Sequence, residues 1–184
     1  QMAKESIQAQ AFSQLESVRT IKKNQIKNYI SSLKSSLLVL NGDPSVATAL
    51  KQFTEVTVDN KVYDPQWQAV DKEYSEHFER VNEINAWYDL FLIDLSGNIL
   101  YSAAKESDLG LNIDDPILVQ SSIKEVFDKA KNAAVGELAI SDFKPYPPSN
   151  NEPAAFIMTK VIDKMGQTIG FIALQFPVNK VNEI

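Results

Sequence analysis

The first forty residues form one helical pattern that no glycine or proline interrupts before Gly42. Apolar side chains recur at steps of three and four residues, the spacing of one face of an α-helix. This face consists of Ile7, Ala11, Leu15, Val18, Ile26, Tyr29, Leu33, Leu37 and Leu40, and Lys22 interrupts it. A helix of this length spans about 55–60 Å. Because a compact domain of 184 residues needs no helix of that length, we expect part of it to project or to pair with another helix.

The apolar face of this helix is narrower in its first half than in its second. The members of the narrow part are Ile7, Ala11, Leu15 and Val18. A single narrow stripe is typical of a coiled-coil-like dimer seam, so we expect a homodimer through the N-terminal helix. From Ile26 onward the face broadens to include Ile30 and Leu38, which favours packing on the chain's own domain.

Two short motifs divide the rest of the helical segment. Asn41-Gly42-Asp43-Pro44 ends the first helix and begins a second, and Asp64-Pro65 begins a third, because aspartate caps a helix and proline fits its first position. The second helix buries Val46, Leu50 and Phe53, and the third has the stripe Trp67, Val70, Tyr74, Phe78, Val81, Ile84 and Tyr88. The opposite side of this third helix is acidic, which is typical of a face exposed to solvent.

The pattern changes from helix to strand near residue 88. Strands are predicted over 90–93, 99–101, 137–143, 154–162 and 168–176, with a helix over 115–131 that Asp115-Pro116 begins. Residues 144–153 are predicted to be a loop. The order predicts an α+β fold with one five-stranded antiparallel sheet and helices packed against it. The predicted boundaries are 1–87 for the helical segment, 88–177 for the sheet module and 178–184 for the start of a last helix.

Charge and residue types argue against several classes of function. Residues 1–42 hold six Lys or Arg and two Asp or Glu, whereas the remainder holds twelve and twenty-two. No basic stripe is interleaved with aromatic residues, which argues against nucleic acid as a partner. Cysteine is absent, and the one histidine, His77, lies on a polar helical face as a surface residue. No stretch approaches the roughly 20 apolar residues that a membrane-spanning helix requires.

Motifs for catalysis are also absent from the sequence. There is no Gly-x-Ser-x-Gly, no phosphate-binding glycine loop and no His-Glu-x-x-His. Asp114 and Asp115 directly precede a proline, as helix-capping residues do. We therefore expect no enzyme, no metal and no cofactor.

Four segments together carry a recognisable pattern. Asp94-Leu-Ser-Gly-Asn98 lies between the first two predicted strands, which form a hairpin, and Asp163-Lys-Met-Gly-Gln-Thr-Ile-Gly170 includes the turn that joins the last two strands as a second hairpin. Both resemble turns of the Cache sensor domains, which have a PAS-like fold. Ser141 to Asn150, continuing to Phe156, resembles the ligand-side strand and loop of Cache domains from methyl-accepting chemotaxis proteins. Leu15 to Ile26 resembles the long helix that leaves the first transmembrane segment of these receptors.

The resemblance implies a function and a location. It implies the extracytoplasmic, ligand-sensing domain of a bacterial chemoreceptor at the inner membrane, with transmembrane segments before Gln1 and after Ile184 and a cytoplasmic signalling module. Amino-acid-binding double-Cache receptors carry Arg-x-Trp-Tyr after the first hairpin. Here Ala86-Trp87-Tyr88 precedes the first strand and lacks that arginine. The resemblance therefore implies a single sensor module, and an amino-acid ligand does not carry over.

A ligand site is expected around the loop Asp142–Phe156. Its candidate residues are Tyr101, Asp142, Tyr146, Ser149, Asn150 and Phe156. Tyr101 and Phe156 would form an apolar wall, and the others would provide polar contacts to a small solute. Asp142 favours a cationic group such as an ammonium, or else satisfies backbone groups of its proline-rich loop. Lys105 and Lys144 instead favour a carboxylate, which leaves the charge of the ligand open.

Ligand binding is expected to shift the final strand, which leads through Pro177 into Val178–Ile184 towards the membrane. A difference in affinity of about 1–3 kcal/mol between two states is typical of such coupling. One alternative places the same sensor on a histidine kinase or a cyclic-dinucleotide enzyme. The other is a module whose acidic body docks a periplasmic protein without a small ligand.

Overall fold

The computed structural model describes residues 2–59 and 61–184, which form three helices followed by a sheet with further short helices. The helices are α1 (Met2–Asn41), α2 (Pro44–Val56), α3 (Pro65–Ile84), α4 (Ser122–Asn132) and α5 (Val178–Asn182). The strands are β1 (Asp89–Asp94), β2 (Ile99–Ser102), β3 (Leu138–Ile140), β4 (Lys144–Tyr146), β5 (Glu152–Ile162) and β6 (Thr168–Pro177). A 3-10 turn, Pro147–Ser149, connects β4 to β5. The predicted α+β class is confirmed.

The sheet is antiparallel, with the strand order β2-β1-β6-β5-β3, and β4 also pairs with β5. Five strands were expected, and the sixth is β4, which lies inside the predicted loop. Lys144 pairs with Ala154, and Tyr146 pairs with Glu152. The middle residue, Pro145, fits this position because a strand at the edge of a sheet tolerates proline.

Helix α4 begins later than the sequence pattern indicates. Asp115 closes a turn instead of capping a helix: its carboxylate accepts from Ile117 N, and its carbonyl accepts from Leu118 N. Ser121 then adopts an extended backbone conformation, with φ −89° and ψ 168°, and becomes the N-cap. The prediction of a helix from residue 115 was therefore wrong, because this extended residue interrupts it.

The sheet has two covered faces. Along β1, the side chain of Leu92 shares a face with Tyr101 and Ile172, and this face packs on α1, α2 and α3. We call it the α2–α3 face. The alternate residues, which include Asp89 and Phe91, point to the opposite side, where α4 packs on β3, β4 and β5. We call this side the α4 face.

Helix α1 has an exposed first half and a second half that packs on the domain, as the narrow and broad parts of its apolar face predict. Residues 2–25 are exposed, and the side chains of Ile7, Leu15 and Val18 are 66%, 69% and 50% exposed. Leu33 and Leu37, farther along, are buried in the common core. The exposed half therefore presents an apolar stripe to solvent. No helix of the described residues has the length and apolar character to cross a membrane.

Candidate functional site

A group of polar side chains is buried on the α4 face, where five segments of the chain meet. This acidic cluster consists of Asp89, Ser102, Glu106, Asp108, Tyr146, Ser149 and Gln175. Strands β1, β2 and β6 each contribute one member, the connection between β2 and α4 contributes two, and β4 with its 3-10 turn contributes two. Register positions Asp89 opposite Gln175, and Gln175 opposite Phe156, so these side chains share a face. Glu106 is partly buried and the other six members are buried.

Asp89 is held at the start of β1 by three hydrogen bonds. Ser102 Oγ donates to its Oδ2 at 2.6 Å, and the backbone N–H groups of Leu90 and Ala104 donate to its Oδ1 at 2.7 and 2.9 Å. Ser102 in turn accepts from Lys105 N at 3.0 Å. The carboxyl group thus fixes the path of the chain where it leaves β2.

A second set of hydrogen bonds fastens the β4 segment over the cluster. Tyr146 OH donates to Asp108 Oδ2 at 2.7 Å, and Ser149 Oγ donates to Glu106 Oε2 at 2.8 Å. Gln175 Nε2 donates to Ser149 Oγ at 3.1 Å, which connects this segment to β6. The other oxygen of Glu106 accepts from Tyr88 OH at 2.6 Å. Side-chain hydrogen bonds from Tyr146, Ser149 and Gln175 therefore close the cluster on this side.

Burial governs the ionisation of the acidic cluster. It raises the pKa of Asp89 to about 7, against the hydrogen bonds from Ser102 and Ala104, and nearby Asp108 adds to the increase. Burial likewise raises the pKa of Asp108 to about 6, opposed by the hydrogen bond from Tyr146 and aided by Glu106. Removal from water disfavours a charged carboxylate unless a cation compensates it. Both carboxyl groups therefore take up protons near neutral pH.

The two lysines that were expected to bind a carboxylate group of the ligand form ion pairs with other residues. Lys105 Nζ lies 2.7 Å from Glu79 Oε1 and 3.4 Å from Asp71 Oδ1, on α3. Lys144 Nζ lies 2.9 Å from Glu125 Oε2, on α4. Within the described residues, no Lys, Arg or His side chain forms an ion pair with Asp89, Glu106 or Asp108. The acidic cluster thus has no cationic partner of its own.

Three of the six residues predicted for the ligand site come together at the acidic cluster. Tyr146 and Ser149 are members of it, and the ring of Phe156 packs edge-on against the Tyr146 ring with 5.0 Å between centroids. Phe156 also contacts the ring of Phe91 on β1. These aromatic rings form the apolar wall beside the buried carboxyl groups.

The other three predicted residues lie apart from the acidic cluster. Tyr101 is on the α2–α3 face, where its ring contacts Phe53 and Phe78, so it does not share a wall with Phe156. Asp142 and Asn150 are exposed, and neither side chain hydrogen-bonds to a member of the cluster in the described structure. Their part in ligand binding stays a prediction. Both flank the β4 segment, which lies over the cluster.

Sequence reasoning missed Asp89, Ser102, Glu106, Asp108 and Gln175. Asp89 begins an apolar strand whose other residues are almost all buried, which is a position where a charged residue needs a reason. Glu106 and Asp108 directly follow the first hairpin. Gln175 interrupts the apolar run Phe171–Phe176. A search for polar residues inside apolar strands would have found two of the five.

Two grooves lie elsewhere on the surface. One, which we call the α2 groove, has a volume of about 650 Å³ and is bounded by the end of α2, the hairpin after β1 and residues near Gly110. A second, of about 600 Å³, lies between α1 and α3 beside His77, whose Nε2 is 3.0 Å from Asp43 Oδ2. No group of described His, Asp or Glu residues has the arrangement of a metal site.

Comparison with solved structures places this architecture among known folds. The chain superimposes on the sensor domain of the histidine kinase DctB from Vibrio cholerae with a TM-score of 0.57 and 17% identity, covering 90% of this chain and 57% of that one. For the periplasmic domain of Vibrio cholerae LuxQ the TM-score is 0.52 and the identity 15%, and the match covers 86% of this chain and 62% of that one. For the ligand-binding domain of the Pseudomonas fluorescens chemoreceptor CtaA, solved with L-serine, the TM-score is 0.50 and the identity 12%, and the match covers 86% of this chain and 57% of that one.

The chain has the PAS-like Cache sensor fold. It spans less than two thirds of the length of each of these three Cache-like structures. No protein-family model matches the sequence, and no curated protein sequence does. The fold predicted from the hairpin and loop motifs is therefore confirmed by structural similarity at low sequence identity.

Proposed function

We propose that the chain is the extracytoplasmic ligand-binding domain of a bacterial chemoreceptor, that it is not an enzyme, and that a small solute binds at the acidic cluster. One observation carries the proposal: buried polar groups from five segments converge beside an aromatic wall on one face of a Cache-type sheet. Small-molecule sites combine an apolar wall with a few directed polar groups in this way. The fold similarity to CtaA, which was solved with L-serine, supports a small-molecule ligand.

The connection from the acidic cluster to the end of the domain supports a signalling role. Gln175 belongs to the cluster through Ser149, and the next residue, Phe176, contacts the ring of Tyr29 on α1 with 6.2 Å between centroids. Strand β6 ends at Pro177, and α5 follows immediately. A ligand that changes the Ser149–Gln175 hydrogen bond therefore acts on β6 where it meets both α1 and α5.

The proposal includes a dimer anchored at the inner membrane, with the domain on its periplasmic side. The exposed stripe of α1 supports the dimer, because apolar residues at this spacing form coiled-coil seams. Similarity to the periplasmic domain of LuxQ supports the location. Membrane anchoring belongs to segments outside this chain.

A second candidate function keeps the sensor and changes the output. Similarity to the DctB sensor domain favours a histidine kinase, and a cyclic-dinucleotide enzyme is the related alternative. The amino-acid sequence that follows Ile184 in the full-length protein distinguishes these: a chemoreceptor continues into a methyl-accepting coiled coil and a kinase into a catalytic domain.

A thermal-shift screen of the purified domain tests the ligand site. The solutes are amines, amino acids, small carboxylates and nucleobases. A solute at a hundredfold excess over its Kd stabilises the folded state by about 2.7 kcal/mol. For a domain of this size that corresponds to an increase in Tm of about 5–10 °C.

Two variants distinguish the acidic cluster from the exposed loop. Ser149→Ala removes the hydroxyl group between Glu106 and Gln175, and we expect it to change the Tm response. Asp142→Asn removes an exposed carboxylate, and we expect it to retain the response. The reverse result would move the site to the loop. A screen without any response would favour the protein-docking module instead.

A further inference from the structure

The acidic cluster has more hydrogen-bond acceptors than donors. Asp108 Oδ1 and Gln175 Oε1 are buried and have no hydrogen-bond partner among the described residues. Both atoms are acceptors, since a carboxylate oxygen and an amide oxygen accept hydrogen bonds. The residues that carry them are fully buried, at 0% and 1% exposure. Because a buried acceptor without a partner costs about 1–3 kcal/mol, the cluster is short of donors.

The acidic cluster also lacks a compensating positive charge, and this favours the same kind of ligand as its excess of acceptors does. It holds three carboxyl groups, and the two nearest lysines in sequence are paired with Glu79 and Glu125. The ring of Phe156 and the hydroxyl group of Tyr146 complete its surroundings. A ligand that complements this environment has to supply both positive charge and N–H donors.

We propose that the acidic cluster binds a primary organic ammonium ion, with Asp108 and Gln175 as its hydrogen-bond acceptors. The proposal rests on the proposed function, because it names the ligand class of the same site. A primary ammonium group supplies three N–H donors on one charged atom, and charge-assisted hydrogen bonds are the stronger ones. A carboxylate ligand would meet like charge, and a quaternary ammonium ion has no N–H to donate.

Entry of an ammonium ion exchanges hydrogen bonds with the β4 segment. Tyr146 OH donates to the other oxygen of Asp108, Oδ2, and Ser149 Oγ links Glu106 to Gln175. An ammonium group bound at Asp108 Oδ1 and Gln175 Oε1 therefore competes with both hydroxyl groups for these side chains. Once replaced, the two hydroxyl groups no longer fix the segment to the connection after β2. Because Ser149 also accepts from Gln175 Nε2, the exchange is transmitted to β6. Ligand recognition and movement of β6 are therefore one event.

Binding of a cation also displaces protons. Burial raises the pKa of Asp108 to about 6 and of Asp89 to about 7, so part of the cluster is protonated at neutral pH. A bound ammonium ion favours the ionised carboxylates and lowers both pKa values. Binding is therefore accompanied by proton release, and the affinity increases as the pH rises from about 6 to about 8.

Calorimetric titration of the purified domain tests the ligand class. The probes are 1,4-diaminobutane, ethanolamine and butylamine, with succinate, glycolate and butyrate as carboxylates of similar size, choline as the quaternary analogue, and L-serine as an amino acid. We expect at least one primary amine to bind, and its carboxylate counterpart and choline not to bind. Titration in two buffers of different ionisation enthalpy measures the protons that are released.

Three variants relate binding to the acidic cluster. Asp108→Asn keeps the shape of the side chain and removes its charge, and we expect the affinity for the amine to fall about 10- to 100-fold. Tyr146→Phe keeps Asp108 and removes a competing donor, so the affinity is expected to rise or stay the same. Glu55→Gln removes an exposed carboxylate on α2 and should have no effect.

The results separate the ligand class from the proposed function. If no primary amine binds, or if the amines bind equally well to Asp108→Asn, the ammonium proposal is wrong. Binding of a carboxylate that Ser149→Ala weakens would overturn the ligand class and leave the sensor site intact. A primary amine that binds without proton release would contradict the protonated state of the cluster.

Discussion

The raised pKa of Asp89 makes the stability of the domain depend on pH in a defined direction. The folded state holds this carboxyl group with a pKa of about 7, against a reference value of 3.8. A group whose pKa is raised by folding contributes full stability below its unfolded pKa and loses that contribution as the pH rises through its folded pKa. From about pH 5 to pH 8, these two pKa values correspond to a decrease of about 2–3 kcal/mol in the free energy of unfolding.

Asp89→Asn tests this directly, because asparagine resembles the protonated carboxyl group. Its amide oxygen still accepts from Leu90 N and Ala104 N, and its amide group does not ionise. In urea unfolding, we expect the free energy of unfolding of the variant, relative to that of the wild-type domain, to increase by about 2–3 kcal/mol from pH 5 to pH 8. Glu55→Gln is the control, and its relative stability should not change. Equal pH dependence in Asp89→Asn and the wild type would refute the buried, protonated carboxyl group.

Three further predictions concern packing and assembly. Phe53→Ala should lower the free energy of unfolding by about 3–5 kcal/mol in urea unfolding, because the ring is fully buried against aromatic rings of α3 and β2. Gly170→Ala should destabilise the domain by about 1–3 kcal/mol in the same assay, since a Cβ atom there would meet the carbonyl oxygen of Ile93. If α1 forms the proposed dimer seam in a membrane-anchored receptor, Leu15→Cys should form an intermolecular disulfide there, whereas Ser17→Cys, on the other side of α1, should not. Equal cross-linking of the two variants would contradict the proposed seam.

The helical part of the fold was predictable because its information is local. The spacing of Leu33, Leu37 and Leu40 marks the buried face of α1, and Asp43-Pro44 marks the start of α2. The last hairpin was predictable for the same reason. By contrast, β4 has only three residues and contains a proline, and it becomes a strand through pairing with β5. Asp115-Pro116 has the local pattern of a helix start, and only the extended Ser121 delays the helix.

The site was less predictable, because strand register creates it. Tyr146 and Ser149 belong to the segment that resembles the ligand-side loop of Cache domains, and the resemblance was enough to select them. Asp89 and Gln175 are far apart in sequence and meet because β1 pairs with β6. Tyr101 lies in a strand that is buried on both sides, where burial gives no indication of the face to which each residue points.

Hydrogen–deuterium exchange of the domain, with and without the solute that stabilises it most, tests the central claim that ligand binding at the acidic cluster acts on β6. We expect slower exchange in residues 103–109, which hold the ligand, and faster exchange in residues 144–151, whose hydrogen bonds to Asp108 and Glu106 are replaced, together with a change in exchange from Gln175 into α5. Protection confined to the α2 groove, with residues 144–151 and the end of β6 unchanged, would contradict it.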